Sequence, residues 1–178
     1  MILEGAYEQK RRLVMLAALW LYLFFLVNPL HLTLPKLLYV NTTASLPIGI
    51  YLVIPGFGIR DGDIVAYEQE THEMDIIHRN SWLPESADPV FIKHAAVAGG
   101  SYSVSASDHL FRVNGCVIGT AMTSDGKGHV LHPRYGIFRI AEGEFLPYTK
   151  AARSYDGRYT GTTSTDRICS RVIPFITR

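Results

Sequence analysis

Cysteine is scarce in this chain: Cys116 and Cys169 are the only two. They form no Cys-x-x-Cys pair, so neither a zinc ribbon nor a thioredoxin-like redox centre is encoded. An oxidising compartment would permit a disulfide. A bridge needs Cα atoms within ~7 Å, however, and a hairpin cysteine need not meet one near the C-terminus. Charge is sparse as well. Charged residues make up 19% of the chain and the formal net charge is +1, so no broad basic face for nucleic acid is indicated. Gly-x-Ser-x-Gly and Ser-x-x-Lys are both missing around Ser45, which argues against a hydrolase nucleophile elbow and a β-lactamase-type serine. Repeats and low-complexity tracts are missing too. His129 and His132 stand i, i+3 beside Pro133 with no third ligand nearby, so no metal site is expected and no cofactor is called for. Gly56-Phe57-Gly58 has the look of a phosphate loop, but a turn, Arg60-Asp61-Gly62-Asp63, follows it where a helix would be needed.

What the sequence does have begins with an apolar run. Residues 1–12 are a short head ending in Lys10-Arg11-Arg12, and residues 13–34 carry no charge. About 20 residues are needed to span a bilayer, so residues 13–34 are expected to form a transmembrane anchor. The basic residues before it place the N-terminus in the cytoplasm and residues 35–178 outside. A cleaved signal peptide would share this pattern, with a small-x-small site near Thr42-Thr43-Ala44. Cleavage there would come well after the apolar run, and an uncleaved anchor is the reading adopted.

Beyond the anchor the pattern is of strands. Ten tyrosines, 15 glycines and the low charged fraction fit a mainly β domain. Strands are expected at 50–54, 64–67, 90–98, 136–140 and around 145–147. Leu110–Val113 and Cys116–Ile118 flank Asn114-Gly115, a strong hairpin signal. Residues 68–89 are polar, with Pro84 and Pro89, and are expected to form a loop or lid.

Three clusters can carry chemistry. Asn41-Thr42-Thr43-Ala44-Ser45-Leu46-Pro47-Ile48-Gly49 places Ser45 between small residues and a Pro-x-Gly turn, where the chain leaves the apolar run. By composition this is also a plain polar exit loop. Lys93 sits inside an apolar strand. A buried lysine loses proton affinity and can act as a neutral base, whereas an edge lysine simply reaches water. Phe91, Ile92 and Val97 are expected to keep water from it, and alternation puts His94 on the opposite face. Ser45 and Lys93 together make a Ser-Lys dyad possible. In Ser154-Tyr155-Asp156-Gly157-Arg158, an extended backbone would put Ser154, Asp156 and Arg158 on one face. The bland reading of that cluster is a surface ion pair of little energetic value.

In order and spacing these clusters resemble the membrane-bound signal peptidases that use a Ser-Lys dyad, and most of all their conjugal-transfer branch, the TraF maturation peptidases. Asn41-x-Thr43-x-Ser45-x-Pro47-x-Gly49-x-Tyr51 is similar to that branch's nucleophile motif. Gly62-Asp63-Ile64-Val65 matches the family's second strand, Lys93 to Gly99 its lysine strand, Val113-Asn114-Gly115 a hairpin beyond it, and Ser154-x-Asp156-x-Arg158-Tyr159-x-Gly161 its last box. The likeness covers roughly residues 10–175. It implies a signal-peptidase-like β domain behind one transmembrane helix, with Ser45 as nucleophile and Lys93 as base. Thr43 and the Ser45 N–H would form the oxyanion hole, Ser154 would orient the lysine, and Asp156 and Arg158 would brace the site. It further implies an endopeptidase of the inner membrane that processes an exported peptide precursor, a conjugative pilin, with cyclisation through the acyl-enzyme one fate of the product. A general type I signal peptidase and a non-catalytic periplasmic scaffold are the alternatives. His94, Gly99-Gly100 and Gly157 depart from the family pattern, which has Arg, Gly-Asp and Ser there.

Overall fold

The computed structural model describes residues 11–20, 36–56 and 58–178. The chain divides into a unit Met1–Pro35 and a larger unit Lys36–Arg178. In the first, residues 11–20 are helical (α1). The expected anchor, residues 13–34, lies largely outside the described residues. Among those described, no helix is long and apolar enough to cross a membrane.

The second unit is mainly β. Among the described residues its strands form two antiparallel sheets, of seven and four strands. The larger holds β1 (Leu38–Asn41), β2 (Gly49–Ile54), β3 (Ile64–Glu68), β4 (Val90–Val97), β9 (Glu144–Tyr148), β10 (Thr163–Ser164) and β11 (Ile168–Thr177). Its order is β1-β2-β11-β3-β4-β9-β10, so the last strand is inserted near the first. The smaller sheet has β5 (Ser101–Val104), β6 (Leu110–Val113), β7 (Cys116–Thr120) and β8 (Gly136–Arg139) in the order β7-β6-β5-β8. The β6–β7 hairpin turns at Asn114 and Gly115 with φ of 50° and 79°, the paired positive values a tight two-residue hairpin requires. Cys116 and Cys169 are both free and exposed.

Alternation along the central strands sorts side chains into separate cores. One face buries Val65, Tyr67, Ala95 and Phe145, with Phe91 packed against them. The other buries Tyr39, Tyr51, Ala66, Ile92 and Val172. Lys93 pairs with Val65 across β3–β4, so it shares the first face. Ile92 faces the second core and cannot shield the lysine, contrary to the sequence expectation.

The stretch 68–89, expected to be loop, contains a helix, α2 (Thr71–Arg79). No side chain caps its N-terminus, and its buried residues are only Glu73, Met74 and Ile77. So short an apolar stripe gives little periodicity to read. The helix is held by tertiary contacts. Tyr155 donates a 2.6 Å hydrogen bond to Glu73, and Trp82, just beyond α2, donates its indole N–H to Asp125 at 2.7 Å.

Candidate active site

Ser45 lies in the turn between β1 and β2, and Asn41 shapes that turn. The Asn41 amide lies 3.0–3.1 Å from the carbonyls of Thr43, Leu46 and Pro47 and donates to them. Its Oδ1 accepts from the Thr43 N–H and from the Thr43 hydroxyl at 3.2 and 3.0 Å. One buried side chain thus ties together the carbonyls of a loop that has no strand partner, as turn backbone requires. The Tyr51 hydroxyl adds a 2.8 Å bond to the Pro47 carbonyl. The sequence motif contains Asn41 without assigning it this role. The signal was its position at the end of an apolar strand ahead of a turn, where Asn side chains bond to nearby backbone.

The Thr43 hydroxyl, assigned by resemblance to the oxyanion hole, donates here to Asn41. It lines the same cavity as Ser45, so rotation about one side-chain bond would redirect it.

Lys93 projects from the middle of β4 and is 2% exposed. Its Nζ donates a 2.7 Å hydrogen bond to Ser154 Oγ, also 2% exposed. Burial lowers the Lys93 pKa to about 8; the Arg158 charge adds to this and Asp156 opposes it. A cavity of about 200 Å³ joins Lys93 and Ser154 to Ser45 and Thr43, with Ile77, Trp82, Leu83 and Phe91 among its apolar walls. Neither Ile92 nor Val97 lines it. A direct Ser45–Lys93 hydrogen bond, which a Ser-Lys dyad calls for, is not formed among the described residues. The amine has Ser154 as its partner, and the two proposed dyad members line one cavity.

The third cluster differs from its extended, surface reading. Asp156 caps the short helix α3 (Gly157–Thr160), its side chain accepting from the Arg158 N–H. Asp156 and Arg158 are wholly buried and pair at 2.8 and 3.2 Å. The remaining donors of Arg158 reach the carbonyls of Thr120 and Thr149 at 3.0 and 2.7 Å. Asp156 also accepts the Thr149 N–H at 3.1 Å. Every group of the pair is satisfied, the condition under which buried charges are tolerated. Gly157 between them is required: a Cβ there would come within 2.4 Å of Leu146 Cδ1 and 2.8 Å of the Pro147 carbonyl. The glycine that departs from the family pattern lets α3 lie against β9, and the pair forms around it.

His94 does not line the cavity that holds Lys93, as alternation required, but it does line a separate cavity beside Ser45. It stacks on Tyr148 with ring centroids 5.5 Å apart, and its Nδ1 lies 3.0 Å from the Gly62 carbonyl. His129 is bonded to Asp125 at 2.7 Å, and no group of potential metal ligands occurs among the described residues. The arrangement offers a hydroxyl in an accessible turn, a dry amine of lowered proton affinity, and a hydroxyl fixing that amine. Set against models of known protein families, the chain matches none, and it matches no curated protein.

Proposed function

We propose that this chain is a membrane-anchored serine endopeptidase of the signal-peptidase kind that works through Ser45 and Lys93. The observation that carries the reading is the buried Lys93, hydrogen-bonded to Ser154 on the wall of the cavity that Ser45 lines. An amine kept near neutrality can take the Ser45 proton as Oγ attacks a peptide carbonyl. The negative oxygen that forms would be met by backbone N–H groups and Thr43. The protonated lysine then gives its proton to the departing amine, leaving an ester on Ser45. Water, or an amine of the same chain, resolves that ester, giving hydrolysis or cyclisation. The substrate is an exported precursor, by resemblance a conjugative pilin, and no cofactor takes part.

The setting is the outer face of the inner membrane, with residues 1–12 in the cytoplasm and 13–34 spanning. Support comes from apolar side chains left exposed on the sheet that follows. Leu38 and Val40 on β1 and Ile173 and Ile176 on β11 are 45–65% exposed, and their rows align through Leu52 and Ile50 of β2. Such a patch on a β domain fits a surface close to lipid.

The test is Ser45→Ala in cells that co-express a conjugative pilin precursor, followed by the mass of that precursor. Wild type should give a shortened or cyclised product, and the variant only the full-length precursor. Processing by Ser45→Ala at the wild-type rate would overturn the assignment. Conversion of secretory precursors in place of pilin would point to a general signal peptidase.

A further inference from the structure

Among the described residues, the unpaired charged side chains on the cavity walls around Ser45 and Ser154 are all of one sign. Beside the 200 Å³ cavity lies a larger one of about 510 Å³, and the two share Trp82, Arg153, Ser154 and Tyr155 on their walls. A third, of about 390 Å³, meets Ser45 from another side and is lined by Lys150 and Arg178. Asp125 is the one carboxylate side chain on these walls among the described residues, and it is fully occupied. Its Oδ1 accepts the N–H groups of Lys127 and His129 at 2.8 and 2.9 Å. Its Oδ2 is 2.7 Å from both the Trp82 indole nitrogen and His129 Nδ1. Lys127 in turn donates to the Ser81 carbonyl at 3.2 Å.

Arg153 is different. It is exposed, and among the described residues its guanidinium has neither hydrogen bond nor ion pair. It stands on the wall common to the nucleophile's cavity and the larger aromatic one, next in sequence to the serine that holds Lys93. A guanidinium is a planar fork of donors matched to a carboxylate. Beside Trp82 and Tyr155, whose rings are 5.0 Å apart, such a pair would be partly withdrawn from water.

We propose that Arg153 is a specificity-determining residue that binds a carboxylate of the peptide substrate, an Asp or Glu side chain close to the bond presented to Ser45. The assignment of a peptide substrate rests on the function proposed above; the carboxylate site rests on Arg153 itself. Its neighbour Lys150 adds to the field that draws in an acidic segment.

The experiment uses the detergent-solubilised full chain carrying Ser45→Ala, immobilised and offered two random decapeptide libraries, one amidated at the C-terminus and one with a free carboxylate. Bound peptides are sequenced by mass spectrometry. Asp or Glu should be enriched in the amidated library. Adding Arg153→Ala should lower retention of acidic peptides about fivefold to tenfold, the range expected for loss of one charge-assisted contact. Arg153→Glu should turn the preference toward Lys and Arg, which a merely structural role would not do. Retention of free-acid peptides alone, regardless of sequence but lost in Arg153→Glu, would identify the terminal carboxylate as the ligand. That result, or absence of acidic enrichment in both libraries without it, overturns the assignment to an Asp or Glu side chain, as does acidic enrichment that persists in Arg153→Glu. A parallel digest by the wild-type chain separates the two claims. Acidic enrichment without Ser45-dependent cleavage leaves the carboxylate site standing and refutes the peptidase. Cleavage without acidic preference refutes the carboxylate site and keeps the peptidase.

Discussion

The two stretches that furnish the site are built in opposite ways. Asn41–Pro47 is half open to solvent and organised by one amide side chain. Ser154–Arg158 has Ser154, Asp156 and Arg158 buried, and an ion pair in which each guanidinium nitrogen and each carboxylate oxygen has a partner. The difference follows from what each must present. A nucleophile has to be reached by a chain from outside. A base has to be kept dry, because only desolvation brings a lysine near neutrality. The buried stretch therefore determines the proton affinity at the site, and the open one determines access to it.

The sharpest test of that division is Lys93 itself. Lys93→Arg should abolish processing, since a guanidinium stays protonated, and Lys93→Met should abolish it as well. Wild-type activity should climb about tenfold per pH unit below the Lys93 pKa of about 8 and level off above it. Stability should also rise with pH, over the window from about 8 to 10.5. The folded pKa lies below the ordinary 10.5, so the unfolded chain binds the extra proton between those values. Burial of the charge is a full cost below about pH 8 and fades as pH rises toward 10.5. Lys93→Met should accordingly be more stable than wild type at pH 7, by up to about 3 kcal/mol, and lose that advantage at alkaline pH. Chemical denaturation at two pH values, alongside the processing assay, checks both halves.

Breaking the buried brace comes next. Arg158→Met leaves Asp156 charged and alone, which should cost about 3–5 kcal/mol, read as a fall in the denaturation midpoint. Ser154→Ala should leave the fold nearly intact while removing the partner of the Lys93 amine. Activity should fall by about tenfold to a hundredfold, the equivalent of one unmet buried hydrogen bond. The pH profile should shift with it, which a loss of packing alone would not produce. The smallest effect belongs to the open stretch. Asn41→Ala should lower stability by only about 1 kcal/mol, because the freed turn carbonyls can turn to water. Turnover should drop several-fold through looser placement of Ser45, with the pH profile unchanged. An equal shift in the pH profile for Asn41→Ala and Ser154→Ala would erase the distinction between the two stretches.

Much of the strand pattern was legible because it depends on local alternation and turn chemistry. The Asn114-Gly115 hairpin follows from turn chemistry, and the buried face of Lys93 and the placement of His94 on the opposite face follow from a period of two. Helix α2 was not legible. Its stripe is short, its N-terminus lacks a side-chain cap, and Tyr155 and Asp125, which hold it and the segment after it, are distant in sequence. Ile92 does not shield Lys93 because, one residue away along the strand, it lies on the opposite face and packs in the other core.

For the candidate site, sequence by itself determined the inventory: a serine between small residues ahead of a Pro-x-Gly turn, a lysine amid apolar strand residues, and an Asp-x-Arg pair behind a serine. Tertiary structure decided what these groups are. It withdrew Asp156 and Arg158 from solvent, gave the Lys93 amine to Ser154, committed the Thr43 hydroxyl to Asn41, and left Arg153 unpaired on a wall shared by two cavities. Those outcomes depend on burial and on partners tens of residues away, 61 in the case of Lys93 and Ser154. Proton affinity and pairing are set by that surrounding medium, which no local run of residues specifies.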